Sequence, residues 1–421
     1  MIHKRLFVLF LSYTFSAFIA AYAQDIHLGF SGSDSWYFSE RSNWSTYVNG
    51  QYKGLTHREI RSRLEPGPLS AHGRNYSGHF YKTVALNRDA LRIALPIDVS
   101  YVSNFVMKWN GALIFATDEG YPEYRDFPVF PNEAVTVGSV WTANGIRVVD
   151  PKNDGRLTDL PILVEYRLQG EGSLNGEETW RIDAKFATRY PGSLKSARAD
   201  TGLKSAFGTH DCQIIVRKSD GAVLVIMDRL DETFAYGNGE SIRYKGNTAI
   251  FAKQAVSADI VAGMLLPDSG RREQEGNGES EKSEKSPTSA KDKEDTQIKP
   301  WVVEKTEQGV RISIRDLLFE ADSDMLLPTE KARLDSVYRS LSKIPDGHFL
   351  VEGHTASTGK QEGEKRLSIE RAKKVIDELC ERGMRPEQFM YRGFGGTVPI
   401  GDNATAEGRA KNRRVEITVL D

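Results

Sequence analysis

The sequence predicts a chain of several domains: a mostly antiparallel β domain over residues 24–266, a disordered charged linker over 267–300, and an α/β sandwich over 301–421. Three observations lead there. Residues 24–266 are dominated by apolar/polar alternation and turn dipeptides, with little long helical periodicity. Residues 267–300 contain no aromatic residue and almost no aliphatic one, so they cannot bury enough apolar surface to offset the entropy of ordering. After Trp301, strand-like and helix-like segments alternate.

The chain opens with Lys4 and Arg5, an apolar run from Leu6 to Ala20, and Ala21-Tyr22-Ala23 before Gln24. That order of charge, apolar core and small-x-small is the pattern of a cleavable secretory signal, with cleavage expected after Ala23; the alternative is an uncleaved anchor. No Cys lies near it, so a lipoprotein is not expected. The formal net charge is −2, and losing Lys4 and Arg5 with the leader would leave about −4. Such a chain has no polybasic field for nucleic acid. Cys212 and Cys380 fall in different predicted domains. They are either a disulfide across the linker or, as we expect, two buried free thiols. Neither the Cys nor the scattered His residues have metal-site spacing, and we expect no metal and no cofactor.

In the β region, Leu91, Ile93, Leu95, Ile97, Val99 and Tyr101 alternate on one face of a predicted strand, which Pro96 assigns to an edge or a bulge. Three hairpins are predicted, at Asn175-Gly176, Asp220-Gly221 and Gly246-Asn247. A short helical turn is expected over His57–Leu64, and the region as a whole could fold as two lobes. Trp36, Trp44, Trp109, Trp141 and Trp180 are expected in the core or facing a partner rather than forming a sugar platform. The linker's 34 residues would average about 30 Å end to end and reach roughly 110 Å when stretched.

Beyond Trp301, Leu334, Val337, Tyr338 and Leu341 fall at i, i+3, i+4, i+7 on a helix begun near Pro328. Ala372, Val375, Ile376 and Leu379 repeat the arrangement on a helix that should stop at Gly383. Strands are expected at 311–315, 348–353, 389–393 and 414–420.

Within this last region stand Gly353-His354-Thr355, Leu367-Ser368-Ile369-Glu370-Arg371-Ala372, a Gly-rich turn from Gly393 to Pro399, and Asn412-Arg413-Arg414-Val415-Glu416. Phe319 to Ser323, before Leu326 and Pro328, fits as an upstream strand and its exit. In order and spacing these pieces resemble the OmpA-like peptidoglycan-binding family over residues 310–421. The variant also looks like the OmpA-like envelope proteins of spirochaetes, whose walls are expected to carry ornithine. The resemblance implies an α/β sandwich and, as ligand, the diamino acid of the peptidoglycan stem peptide, whose distal end carries an ammonium and a carboxylate. It assigns the site to Thr355, Ala356, Glu364, Leu367, Arg371, Asn412, Arg413 and Arg414.

In the family an Asp takes the ammonium and the helix Arg takes the carboxylate, ideally in a bidentate pair. Arg371 is retained, whereas Ala356 stands in place of the Asp. A charge-assisted hydrogen bond contributes about 1.5 to 3 kcal/mol, so losing it should weaken binding roughly ten- to a hundredfold. Glu364, where the family usually has Asn, and Glu370 are candidate replacement anions. A switch to ornithine alone does not account for the pattern, because Arg371 is the partner of the carboxylate that ornithine lacks. Either Arg371 meets another stem carboxylate or the domain has a structural task. His354 is expected as a hydrogen-bonded loop residue, Arg414 equally as a surface ion pair, and Gly353, Gly393, Gly395 and Gly396 as backbone turns.

No nucleophile elbow, zinc helix or paired-carboxylate signature occurs in residues 24–266. We therefore expect a non-enzymatic, outer-membrane-associated periplasmic protein that docks on or near peptidoglycan and engages an outer-membrane or periplasmic protein partner. Competing expectations are an integral outer-membrane β-barrel with a periplasmic domain, a protein-interaction module that no longer binds peptidoglycan, and an envelope enzyme acting on glycan.

Overall fold

The computed structural model describes residues 25–87, 93–192, 197–265, 301–306, 308–315, 317, 319, 323–344 and 346–421. The expected signal peptide and the expected linker lie outside the described residues. The described residues form two compact units, one from those within 1–89 and 100–253 and the other from those within 90–99 and 254–421.

The first unit is a twelve-stranded sheet. Its strands are β1 (Trp36–Val48), β2 (Gln51–Ser70), β3 (Gly73–Asn87), β5 (Val99–Lys108), β6 (Leu113–Asp118), β7 (Tyr124–Arg125), β8 (Val140–Val149), β9 (Thr158–Leu174), β10 (Glu177–Pro191), β11 (Leu203–Arg217), β12 (Val223–Tyr236) and β13 (Ser241–Gln254). Their order is β6-β5-β3-β2-β1-β13-β12-β11-β10-β9-β8-β7, so the first and last strands are neighbours. The sheet coils like a barrel: Arg58 of β2 and Arg147 of β8, far apart in that order, both bind Glu123 inside it. Alternation sets the inward face, with Ile162, Val164, Tyr166 and Leu168 of β9 and Ile214 and Val216 of β11 in one apolar cluster.

Two of the expected hairpins form. Asn175 and Gly176 both take positive φ between β9 and β10, and Gly221 does so between β11 and β12. The third does not, because β13 runs straight through Gly246-Asn247. The turn lies instead at Gly237–Glu240, where Gly239 has φ +86°. Gly246 is needed for another reason: a Cβ there would lie 2.1 Å from the Asn43 carbonyl oxygen of β1. The short helix expected over His57–Leu64 is also absent, since these residues belong to β2 and pair in register with both β1 and β3. Trp36 and Trp44 are buried, Trp141 and Trp180 pack against the core, and Trp109 is exposed.

The strand expected over 91–101 is broken. Leu95–Pro96 forms β4 in the second unit, whereas Val99 begins β5. Pro96 does sit on an edge, because β4 ends the six-stranded mixed sheet β14-β15-β18-β16-β17-β4. The other strands of that sheet are β14 (Val302–Thr306), β15 (Gly309–Arg315), β16 (Phe349–His354), β17 (Phe389–Gly393) and β18 (Arg414–Val419). Helices α1 (Ala258–Leu265), α2 (Lys331–Leu341), α3 (Gln361–Glu381) and α4 (Ala406–Asn412) accompany it. The predicted apolar faces are buried: Leu334, Val337 and Leu341 of α2 and Ala372, Val375, Ile376 and Leu379 of α3 join β15, β16 and β18 in one core. Pro328 precedes α2, and Gly383, at φ +112°, follows α3. Among the described residues no helix is long and apolar enough to cross a membrane.

Candidate functional site

At the second unit's candidate site, sequence spacing becomes geometry through two close approaches. A Cβ on Gly353 would meet the Ser368 carbonyl oxygen at 2.0 Å, and one on Gly393 would meet Ser368 Oγ at 2.2 Å. Only glycine lets α3 lie that near the ends of β16 and β17. Ser368 is fully buried; its Oγ donates to Lys365 O (2.7 Å) and accepts from Gly395 N (2.9 Å). Gly395, at φ +57°, turns its carbonyl back to accept from Thr355 N at 2.9 Å. The Gly-rich turn is thus fastened both to the start of α3 and to the loop that follows β16.

Arg371 projects from α3 and is nearly buried. Its guanidinium lies over the Phe319 ring, 4.5 Å from the centroid, and Nε donates to Ser323 O at 3.2 Å. Phe319 itself bridges to Leu326. The upstream segment therefore holds the arginine in place. Thr355 and Ala356 are buried, and Thr355 Oγ1 has no hydrogen-bond partner among the described residues. Leu367 is half-buried on α3.

Glu364, a candidate substitute for the missing Asp, is engaged by its own loop. Its Oε1 accepts from Thr358 N, Thr358 Oγ1 (3.0 Å) and Lys360 N (3.3 Å). These hydrogen bonds, led by the one from the Thr358 backbone, lower its carboxyl from the ordinary range. Glu370 is exposed, 3.8 Å from Arg366.

Asn412 is fully buried and uses all of its amide capacity. Oδ1 accepts from Ile400 N (2.7 Å) and Gly401 N (2.8 Å); Nδ2 donates to Gly401 O (2.9 Å) and Asn403 Oδ1 (2.8 Å). Asn403 Oδ1 also accepts from Ser357 N at 3.1 Å, which ties α4 to the loop after Ala356. Arg413 ends α4, its N–H donating to Arg409 O at 3.1 Å.

Arg414 is a buried ion pair rather than a surface one. Its Nε donates to Glu416 Oε1 at 2.7 Å and its Nη1 to Val398 O at 3.2 Å. Burial raises the Glu416 carboxyl, but His354, Arg414 and Arg311 outweigh that and hold it at about 2. His354 is the last residue of β16 rather than a loop residue, and it is buried. Its ring stacks on Phe394 (5.2 Å), neither nitrogen has a hydrogen-bond partner among the described residues, and Nε2 lies 3.7 Å from Glu416 Oε2.

The first unit holds a buried charge network that the motif search did not anticipate. Arg58 Nη2 donates to both Glu40 and Glu123. Arg147 donates from Nε to Glu123 Oε1 (3.2 Å) and from Nη1 to Glu232 Oε2 (2.5 Å). His210 Nδ1 pairs with Asp228 Oδ2 at 2.7 Å, which Tyr124 OH also reaches at 2.6 Å. Burial opposes the ionised form of Glu232, yet Arg147 and His210 pull its carboxyl down to about 2. Burial instead wins at Glu40, which Arg58 only partly offsets, and the carboxyl stands at about 7. Both cysteines are free thiols, but only Cys212 is buried and Cys380 is half-buried; burial pushes the Cys380 thiol up to about 11. Among the described residues no His, Cys, Asp and Glu cluster is arranged to hold a metal.

Residues 318–413 match the OmpA family model. The peptidoglycan-binding protein ArfA of Mycobacterium tuberculosis is 41% identical over 103 residues, which is 24% of this chain and 32% of that protein. This chain therefore spans about a third of the length of that curated relative. Among solved structures, the cell wall anchor of the type VI secretion system from Pseudomonas aeruginosa is 33% identical, with 29% of this chain and 87% of that one covered and a TM-score of 0.26. An outer membrane protein from Borrelia burgdorferi B31 is 30% identical over 29% of this chain and 97% of that one, with a TM-score of 0.25. Glycine-fastened, with Arg371 and Asn412 in their motif positions, residues 318–413 are an OmpA-family domain.

Proposed function

We propose that this is a non-enzymatic protein of the periplasm, associated with the outer membrane, whose OmpA-family domain docks on peptidoglycan through Arg371 and the loop beginning at Thr355. The observation that carries this is the fixing of Arg371. A guanidinium laid on Phe319 and tied to Ser323 O is held in one direction before any ligand arrives, which lowers the ordering cost of gripping a stem-peptide carboxylate. The named function of the mycobacterial relative, peptidoglycan binding, supports the same reading.

In this reading Thr355 offers its unpartnered hydroxyl, and Arg371 takes the carboxylate. Glu364, Asn412, Arg413 and Arg414 position the surrounding loops, and Leu367 supplies an apolar wall. Ala356 leaves the ligand ammonium without the family's Asp, and Glu364 is drawn to its own loop through Oε1, which accepts three hydrogen bonds. Binding is therefore weak and carboxylate-led. The first unit engages an outer-membrane or periplasmic protein.

Co-sedimentation of the full chain with purified sacculi tests this. The unaltered protein should pellet weakly, Arg371→Ala should stay in the supernatant, and Ala356→Asp should bind roughly ten- to a hundredfold more tightly. Equal pelleting of the unaltered and Arg371→Ala proteins would remove Arg371 from the site. Pelleting by Ala356→Asp alone would show a domain that has lost its ligand and works through protein contacts.

A further inference from the structure

The first unit holds a half-open cavity of about 140 Å³ whose lining is largely apolar. Trp36, Phe38 and Glu40 of β1 line it, as do Tyr76 and Phe80 of β3, so it follows each strand for four residues. At about 3.3 Å per residue it runs about 13 Å along the inside of the sheet. Turns mark its outer end, with Gly111 between β5 and β6 and Gly221 between β11 and β12. Glu40 and Glu123, which both bind Arg58, mark the inner end.

We propose that this cavity takes a single unbranched alkyl chain, methyl end inward, with the polar end of the molecule left in solvent at the turns.

Shape, lining and charge each point to that class. A volume of about 140 Å³ would hold one benzene-sized molecule if it were compact. Drawn out along the strands it is a narrow slot, which admits a chain and is too thin for a ring. The walls mix aromatic side chains with Leu64, Met107, Val223 and Ile226, so no stacking geometry selects a flat ligand. The polar members of the lining are engaged or out of reach. Glu123 accepts from Arg58 and Arg147, and Asp126 Oδ1 accepts from Leu113 N at 2.7 Å. Glu40 Oε2 and Tyr76 OH have no hydrogen-bond partner among the described residues, but both atoms are inaccessible and are assigned no ligand contact. Such walls suit a ligand that asks for no hydrogen bond, and each methylene it buries tightens binding about fourfold. A charged head group at the inner end would be buried without a partner, which fixes the direction of the chain. Free fatty acids and membrane lipids both offer a chain of this kind.

Straight-chain carboxylates from butanoate to decanoate, titrated calorimetrically into the full chain, should bind one to one, tighten about fourfold per methylene and level off once the slot is full. Cyclohexylacetate, equal to octanoate in carbon count, should bind at least about tenfold more weakly because its ring overpacks the slot. Intermolecular nuclear Overhauser contacts should place the octanoate methyl against Phe80 and Ile226. No saturable binding at millimolar concentration, contacts elsewhere, or a ring held as tightly as the chain would overturn the proposal. Ala222→Phe, which fills the cavity beside the Gly221 turn, should abolish binding; if that variant fails to fold, the chain-length series and the contacts in the unaltered protein decide. Flotation with phosphatidylglycerol vesicles separates the two sources. Flotation that excess octanoate abolishes assigns the chain to a membrane lipid, and octanoate binding without flotation assigns it to a free fatty acid.

Discussion

Arg147 stands between Glu123 and Glu232 with almost no exposure. Removing one partner of a buried ion pair leaves uncompensated charge and costs about 3–5 kcal/mol. Arg147→Met should therefore lower the unfolding free energy of the first unit, read from its β signal in denaturant, by that amount, while α-helical signal, which among the described residues comes from the second unit, should melt as before. The two glutamates at either end of this network oppose each other in pH. Glu232 is held at about 2 against 4.5 when unfolded, so its stabilisation is complete above 4.5 and is lost as pH falls from there toward 2. Glu40 stands at about 7, so the folded state binds the extra proton between 4.5 and 7 and stability falls as pH rises through that window. Glu40→Gln should flatten that fall and leave the acid limb in place, as read from denaturation midpoints at closely spaced pH. Part of the network was legible beforehand. Asp228 and Glu232 share the phase of Leu224, Ile226, Leu230 and Phe234, all buried, so strand periodicity alone points both carboxylates inward. A search for catalytic motifs passes over that phase because the charges come from strands distant in sequence and meet only when the sheet coils.

Helix α1 lies before the linker in sequence and belongs to the second unit in structure. Val261 and Leu265 are fully buried in that unit's core, and Trp301 Nε1 donates to Leu265 O at 3.1 Å. Losing two such side chains from a core costs about 1.5–3 kcal/mol each at the level of transfer free energy. A fragment starting at residue 301 should consequently unfold at lower denaturant than one starting at 254, with the shift measured by circular dichroism. The eight-residue helix was not foreseen because its Ala-Asp-Ile-Val-Ala-Gly-Met-Leu run is short and sits against a compositionally charged stretch. Longer elements were readable: α2 and α3 from their 3.6-residue periodicity, and the Asn175-Gly176 hairpin from a dipeptide that accepts positive φ at both positions. Gly246-Asn247 carries nearly the same local signal yet lies mid-strand. Only the neighbouring β1 backbone explains its glycine, and no local rule contains that neighbour. His57–Leu64 misled in the same way: within β2 the run alternates between the two faces of the sheet, Arg58 turning to Glu40 and Glu123 and Glu59, of the opposite phase, pairing with Arg41 and Arg61, and Arg58 to Leu64 are buried on both faces.

On the scale of the whole chain, the outward face of the coiled sheet bears on the membrane question. Glu165, Lys185, Asp211 and Arg229 are exposed and directly opposite one another across β9, β10, β11 and β12, with Asn247 of β13 completing the row. The row crosses the middle of these strands, where a bilayer-spanning barrel carries its apolar band. Each Arg or Lys at the midplane of such a band costs about 2–4 kcal/mol, whereas in water the same alternating charges are favourable cross-strand neighbours. The inward face holds both buried ion pairs and an apolar cluster, a filling that barrels in water and in membranes share, so the outward row of charges carries the argument. Association with the outer membrane would then run through a partner or the cell wall rather than through strands in lipid. From isolated envelopes the chain should be released by high salt or alkaline carbonate without detergent, and the released protein should keep its β-sheet spectrum in detergent-free buffer. Retention in the membrane pellet until detergent is added would reverse the assignment and put Lys185 and Arg229 in a lipid-facing position that the present arrangement makes unfavourable.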